Sequence, residues 1–268
     1  MKILFIGVGS IAYRHINILQ ENFDHNIYCL RSGNGLVPTP DGVIEVSSLY
    51  NGFDAVFITN PSHLHIETAI SCAKRGIPMF IEKPIDVSTN GLDDLVKIVK
   101  EKNLASYVAY PLRFNSDIKL LTSWHKDPEQ ITVTCNTDYK KWRTTHGYPH
   151  VRDHDNVILE LSHEIDLVDW LWGPVDGIIG QVDGSKARLF IKCARLVNGV
   201  AVNLDMESDS DIREIVIDGE RYPYGVSDIH YLLQIEHFLE CIHKPELSIN
   251  PLDKAANLFK KILKVKNG

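Results

Sequence analysis

Ile3-Leu4-Phe5-Ile6-Gly7-Val8-Gly9-Ser10-Ile11-Ala12 decides the fold: an apolar run passes directly into Gly-x-Gly-x-x-Ala. A helical pattern with Ile11, Ala12, Ile16 and Leu19 on one face takes over at once. Strand, glycine turn and helix N-terminus in that order aim backbone N–H groups and the positive end of a helix dipole at one point, where a pyrophosphate is held. The glycine motif alone is a weak signal; its place between the first strand and the first helix makes it specific.

The same texture continues downstream. Residues 26–30, 54–59 and 78–81 are further apolar runs, and helical patterns cover 10–21, 62–75 and 90–102. Pro61-Ser62 reads as a start and Gly76 as a stop for the second of these. Strands apolar at every position are buried on both faces, as in a parallel sheet flanked by helices. Residues 1–115 therefore read as a doubly wound α/β domain of the Rossmann type. From about residue 125 the pattern alternates, at 129–136, 187–193, 199–206 and 212–218. Helical patterns at 156–172, 229–243 and 251–265 accompany it, the last with Asn250 as its cap and Pro251 in its first turn. Residues 116–268 are thus expected to form an α+β domain with a mainly antiparallel sheet, the final helix returning to the first domain.

Composition narrows the partners. The 268 residues carry 28 Lys and Arg against 35 Asp and Glu, a net charge of −7. That balance lacks the basic footprint of nucleic-acid or anionic-membrane binding. No stretch of about 18 apolar residues occurs, and the N-terminal run is too short for a signal peptide. Five scattered cysteines read as small buried hydrophobes in a reducing compartment, so the expected location is the cytoplasm.

Four further places carry chemistry. The second strand ends in Arg31-Ser32 rather than in the acidic residue that selects NAD, and a guanidinium with a hydroxyl suits a 2′-phosphate. NADP(H) is therefore favoured, with NAD(H) use open. Asn60-Pro61 with His65, and Glu82-Lys83-Pro84, follow two later strands, and the carboxyl ends of parallel strands are where ligands bind. Pro84 biases Lys83 to an extended backbone, so its side chain is expected to project from the strand end. The segment from Tyr139 to Asp155 reads as a polar loop over a cleft, in which Trp142 stacks on a sugar ring or pins the loop to the core. Arg143 or Arg152 is placed there to hold an anion. His146, His150 and His154 recur every fourth residue, but Gly147 and Pro149 break the helix a metal site would need, and no metal is expected.

Together these motifs, with Tyr110-Pro111-Leu112-Arg113-Phe114 and His163-Glu164-Ile165-Asp166-Leu167, resemble the glucose–fructose oxidoreductase / inositol dehydrogenase / MocA superfamily. Within it, the likeness is to members from polysaccharide and sugar-modification pathways. The resemblance implies an NAD(P)-dependent oxidoreductase moving hydride between nicotinamide and a hydroxyl or ketone of a sugar, nucleotide sugar or polyol. It implies catalytic roles for Lys83, reaching the reacting oxygen from a cis Lys-Pro peptide, for His163 as proton relay, and for Asp166 as its tuning partner. Gly7, Gly9, Ser10 and Ile11 are then assigned to the pyrophosphate, and Arg31 and Ser32 to the adenosine ribose. Asn60, Pro61, His65, Glu82 and Pro84 are assigned to the nicotinamide end. Tyr110, Arg113, Trp142 and Arg143 fall to the substrate.

Spacing agrees in part: Glu160, His163 and Asp166 are three apart and share a helix face. The family's acid usually stands four residues ahead of the histidine, and the chain is several dozen residues shorter than common members. A homodimer is expected from an antiparallel sheet with one bare face. A redox-neutral NAD-dependent glycosidase and a non-catalytic ligand-sensing module are the alternatives.

Overall fold

The computed structural model describes residues 1–31, 38–139, 141 and 156–266. In chain order the elements are β1 (Lys2–Ile6), α1 (Ser10–Asn22), β2 (Asn26–Leu30), β3 (Ile44–Val46) and β4 (Ala55–Ile58). There follow α2 (His65–Lys74), β5 (Met79–Ile81), α3 (Leu92–Glu101), β6 (Ser106–Val108) and α4 (Ser116–Trp124). Next come β7 (Ile131–Asp138), α5 (Val157–Glu160), α6 (Ser162–Trp172), β8 (Val175–Asp183), β9 (Lys186–Cys193) and β10 (Val200–Asp205). The chain closes with β11 (Glu207–Ile217), β12 (Glu220–Pro223), α7 (Asp228–Cys241) and α8 (Leu252–Lys266). Two compact units result, one of Met1–Ala109 with Tyr231–Ala256, the other of Tyr110–His230 with Asn257–Gly268.

In the first unit six parallel strands take the order β3-β2-β1-β4-β5-β6. Every residue of β4, β5 and β6 is buried, which explains their unbroken apolar sequence. Phe5, Phe57, Phe80 and Tyr107 stand in register across four strands, with successive ring centroids 4.7, 4.6 and 5.4 Å apart. Phe238 of α7 meets Phe57 and Phe80 edge-on, each at 5.6 Å. The free edge of β6 is covered by the segment before α8. Val108 N–H donates to Asn250 O at 3.1 Å and Asn250 Nδ2 to Val108 O at 2.8 Å.

That bonding corrects one expectation. Asn250 does not cap the last helix: its Nδ2 donates to β6, its Oδ1 accepts no hydrogen bond from the described residues, and the Leu252 N–H goes to Ser106 Oγ at 3.1 Å. A second correction concerns 62–75, where Ser62–Leu64 forms a 3-10 turn and the α-helix starts at His65, without a side-chain cap.

The second unit holds a sheet of order β12-β11-β7-β10-β9-β8, antiparallel except for β7 with β10. Burial alternates strictly along β9, and α6 packs on β7, β9 and β10. On the other face Ile179 and Phe190, paired in register, remain exposed. The expected helix 156–172 is two helices, broken at Leu161 with ψ near 32°. Val157, Ile158, Leu159 and Leu161 are all buried around the break. Asn156 caps the first piece, accepting from the N–H groups of Ile158 and Leu159. Among the described residues no helix is long and apolar enough to cross a membrane.

Candidate active site

At the carboxyl end of the parallel sheet, Gly7 adopts φ +92°, and a Cβ there would lie 2.5 Å from Asn60 Cα. Only glycine fits so close an approach of β1's end to β4's end. Thr59 Oγ1 locks the junction by donating to Gly7 O at 2.8 Å. A Cβ on Gly9, by contrast, would meet nothing within 4 Å among the described residues. The N-terminus of α1 has no side-chain cap among the described residues and no acidic residue in its first turn. Open space in front of uncapped N–H groups is what a pyrophosphate requires, so Gly7, Gly9, Ser10 and Ile11 fit that group. At the end of β4, Asn60 Nδ2 donates to Thr68 Oγ1, while Asn60 Oδ1 is buried and makes no hydrogen bond with the described residues. Pro61 beside it is exposed.

The Glu82-Lys83-Pro84 segment is braced from two sides. His15 Nε2 lies 2.6 Å from Glu82 Oε1, and the other Glu82 oxygen accepts the Lys83 N–H at 3.2 Å. His65 stands between β4 and β5, with Nε2 2.7 Å from Asn60 O and Nδ1 2.9 Å from Pro84 O. The Lys83–Pro84 peptide is cis. Asp86 completes the support, accepting from the N–H groups of Val87 and Ser88 and, at the start of α2, of Ile66. His65 and Glu82, assigned from sequence to the nicotinamide end, thus spend their polar atoms on the protein itself. His15 and Asp86 were missed because their partners are distant in sequence or are backbone groups. At the end of β2, Arg31 donates to Thr39; Ser32 lies outside the described residues.

In the second unit Tyr110 meets His163 edge-on, ring centroids 5.5 Å apart at 89°, and its hydroxyl donates to Ser162 Oγ at 3.4 Å. Arg113 is buried and grips Asp166 through two bonds, Nε to Oδ2 at 2.9 Å and Nη2 to Oδ1 at 2.7 Å. Burial raises Asp166 to about 6, although Arg113 pulls the other way. Both Asp166 oxygens are therefore committed to Arg113, which fixes α6 to the turn that carries Tyr110. Glu160, on the separate helix α5, accepts from Tyr139 Oη at 3.3 Å. Beneath His163, Glu164 is wholly buried with Tyr224 Oη 3.3 Å and Arg213 Nε 3.8 Å from one oxygen. Burial and the Glu164 charge push the Tyr224 phenol well above its ordinary value. Trp142, Arg143 and the histidines at 146, 150 and 154 lie outside the described residues.

Residues 1–110 match the model of an oxidoreductase family with an NAD-binding Rossmann fold, the Gfo/Idh/MocA group. The chain is 25% identical over 195 residues to 2,7-anhydro-N-acetylneuraminate hydratase of Mediterraneibacter gnavus, covering 68% of this chain and 52% of that protein. It is 26% identical over 166 residues to UDP-N-acetylglucosamine 3-dehydrogenase of Acidithiobacillus ferrooxidans, covering 59% and 50%. The chain thus spans about half the length of these curated relatives. Among solved structures, the WlbA dehydrogenase of Bordetella pertussis in complex with NADH and UDP-GlcNAcA superposes with a TM-score of 0.78 at 17% identity. That match takes in 99% of this chain and 96% of that one, and it speaks for the fold.

Proposed function

We propose, since residues 1–110 match the model of the Gfo/Idh/MocA oxidoreductase family, that the chain is a nicotinamide-dependent dehydrogenase acting on a CH–OH group of a sugar, nucleotide sugar or polyol. The observation that carries the reading is the conjunction at the carboxyl end of the parallel sheet of the uncapped α1 N-terminus, the Gly7–Asn60 approach and the doubly braced Lys83 segment. Bound nicotinamide would supply the site that takes up or returns hydride. Gly7, Gly9, Ser10 and Ile11 bind the pyrophosphate through backbone N–H groups. Lys83 hydrogen-bonds the reacting oxygen and offsets the negative charge that develops on it. His163 relays the proton, and Asp166 acts on it indirectly, by holding α6 through Arg113. A homodimer through the bare sheet face at Ile179 and Phe190, and a cytoplasmic location, belong to the same reading.

The test is nicotinamide absorbance during incubation with UDP-, GDP- and CMP-linked sugars, free sugars and polyols, on wild type, Lys83→Ala and His163→Ala. Turnover by wild type, lost in both variants while dinucleotide still binds, is expected; equal turnover in all three overturns the mechanism.

A redox-neutral reaction is the second reading, favoured by the relative named as a hydratase. Product formed without net change in nicotinamide absorbance would select it.

A further inference from the structure

The carboxyl end of β2 carries a charged network that the glycine motif does not announce. Arg31 Nη1 donates to Thr39 Oγ1 at 3.0 Å, and Thr39 Oγ1 donates to Glu45 Oε2 at 2.8 Å. The same carboxylate oxygen lies 3.7 Å from Arg31 Nη1. Glu45 belongs to β3, where it stands in register with Cys29 of β2. An acidic group is ordinarily sought at the end of β2; here it arrives from the neighbouring strand. Gly7 N–H donates to Leu30 O at 3.0 Å, which fixes the end of β2 beside the glycine turn. The Arg31 network therefore lies on the adenosine side of a dinucleotide whose pyrophosphate rests on α1.

Resting on the dinucleotide reading above, we infer that Glu45 is the specificity-determining residue at the adenosine ribose and selects a 2′-hydroxyl over a 2′-phosphate. Arg31 alone would favour the phosphate, the expectation drawn from sequence. Held next to Glu45, it forms a pair of no net charge whose carboxylate accepts hydrogen bonds from hydroxyl groups. A 2′-phosphate carries about −1.5 to −2 charge and would face that carboxylate within the ~8 Å over which charges are felt at physiological salt. About half of the Glu45 side chain is exposed, so attraction to Arg31 alone is screened and would not hold it in place. The Thr39 hydroxyl supplies the fixed tie.

Dissociation constants for NAD+, NADP+, 5′-AMP and 2′,5′-ADP are measured by calorimetry on the full chain, as wild type, Glu45→Gln and Thr39→Val, with circular dichroism as the check on folding. Wild type is expected to bind NAD+ more tightly than NADP+. Glu45→Gln should shift the NADP+/NAD+ affinity ratio at least tenfold toward NADP+, and Thr39→Val should shift it the same way by less. An unchanged ratio in folded Glu45→Gln, or a wild type that already prefers NADP+, overturns the inference alone. Failure of wild type to bind any of the four overturns the dinucleotide reading and the inference with it.

Discussion

His15 of α1 is wholly buried, and its Nε2 sits 2.6 Å from Glu82 Oε1 at the end of β5. One contact thereby ties the helix that opens on the glycine turn to the segment that presents Lys83. Its ring is packed against Phe57, Phe80 and Tyr231, and Nδ1 makes no hydrogen bond with the described residues. His15→Ala leaves a buried carboxylate with one partner fewer and is expected to cost about 3–5 kcal/mol. His15→Gln, which keeps a donor, should recover part of it. Calorimetric unfolding of the two variants checks this; equal losses would mean that packing alone matters.

The two glycines of the turn should separate stability from binding. Gly7→Ala drives a methyl into the Asn60 backbone at positive φ, and a cost of about 1–3 kcal/mol is expected together with loss of dinucleotide affinity. Gly9→Ala meets no atom of the described residues within 4 Å, so its unfolding free energy should stay within about 0.5 kcal/mol of wild type. Its dinucleotide dissociation constant should nevertheless rise at least tenfold, because the methyl occupies the space over the helix N-terminus. Denaturant titration and ligand titration of both variants decide the matter.

Arg113→Met strips Asp166 of both hydrogen bonds. At pH 7.5 the variant should lose about 3–5 kcal/mol, as buried pairs do when one member is removed. In wild type burial already lifts Asp166 to about 6; without the cation its folded value rises further. The folded variant then binds more protons than the unfolded chain over a wider acid range, so its deficit against wild type should shrink as pH falls toward 5. Urea unfolding of both proteins at pH 5 and 7.5 tests the sign.

His237 works in the opposite sense. Burial lowers it below the ordinary histidine value, with Glu240 opposing, and Nε2 accepts the Ile249 N–H at 3.1 Å. A protonated ring cannot accept that bond. Unfolded chain binds the proton more readily, so this stability is present above about pH 6.5 and is lost as pH falls through the depressed folded value. His237→Gln should flatten that part of the acid limb in a melting-temperature series from pH 7.5 to 5.

What the sequence made legible was whatever depends on neighbours in the chain. β1, β2, β4 and β5 announce themselves as short apolar runs, and the glycine turn because its geometry admits nothing else. Four strands went unread for local reasons; β6 is only three residues long and opens on the polar Ser106. β3 is a short edge strand with Ile44 and Glu45 exposed, β8 is diluted by Gly177 and Gly180, and β12 carries no buried position. The break at Leu161 was hidden because the apolar pattern continues through it. His15, Glu45 and the Arg113–Asp166 clamp escaped because each acquires its meaning from a residue elsewhere in the fold: Glu82, Arg31 and one another.

The β6 edge gives the order of synthesis a physical meaning. Val108 and Ser106 obtain their outer hydrogen bonds from residues 248–252, which leave the ribosome long after the rest of their sheet. Until then a nascent chain displays a raw strand to its surroundings, a template for sticking to other polypeptides. Halting translation beyond residue 109 but short of 248 should therefore yield a chaperone client rather than a half-finished but sound domain.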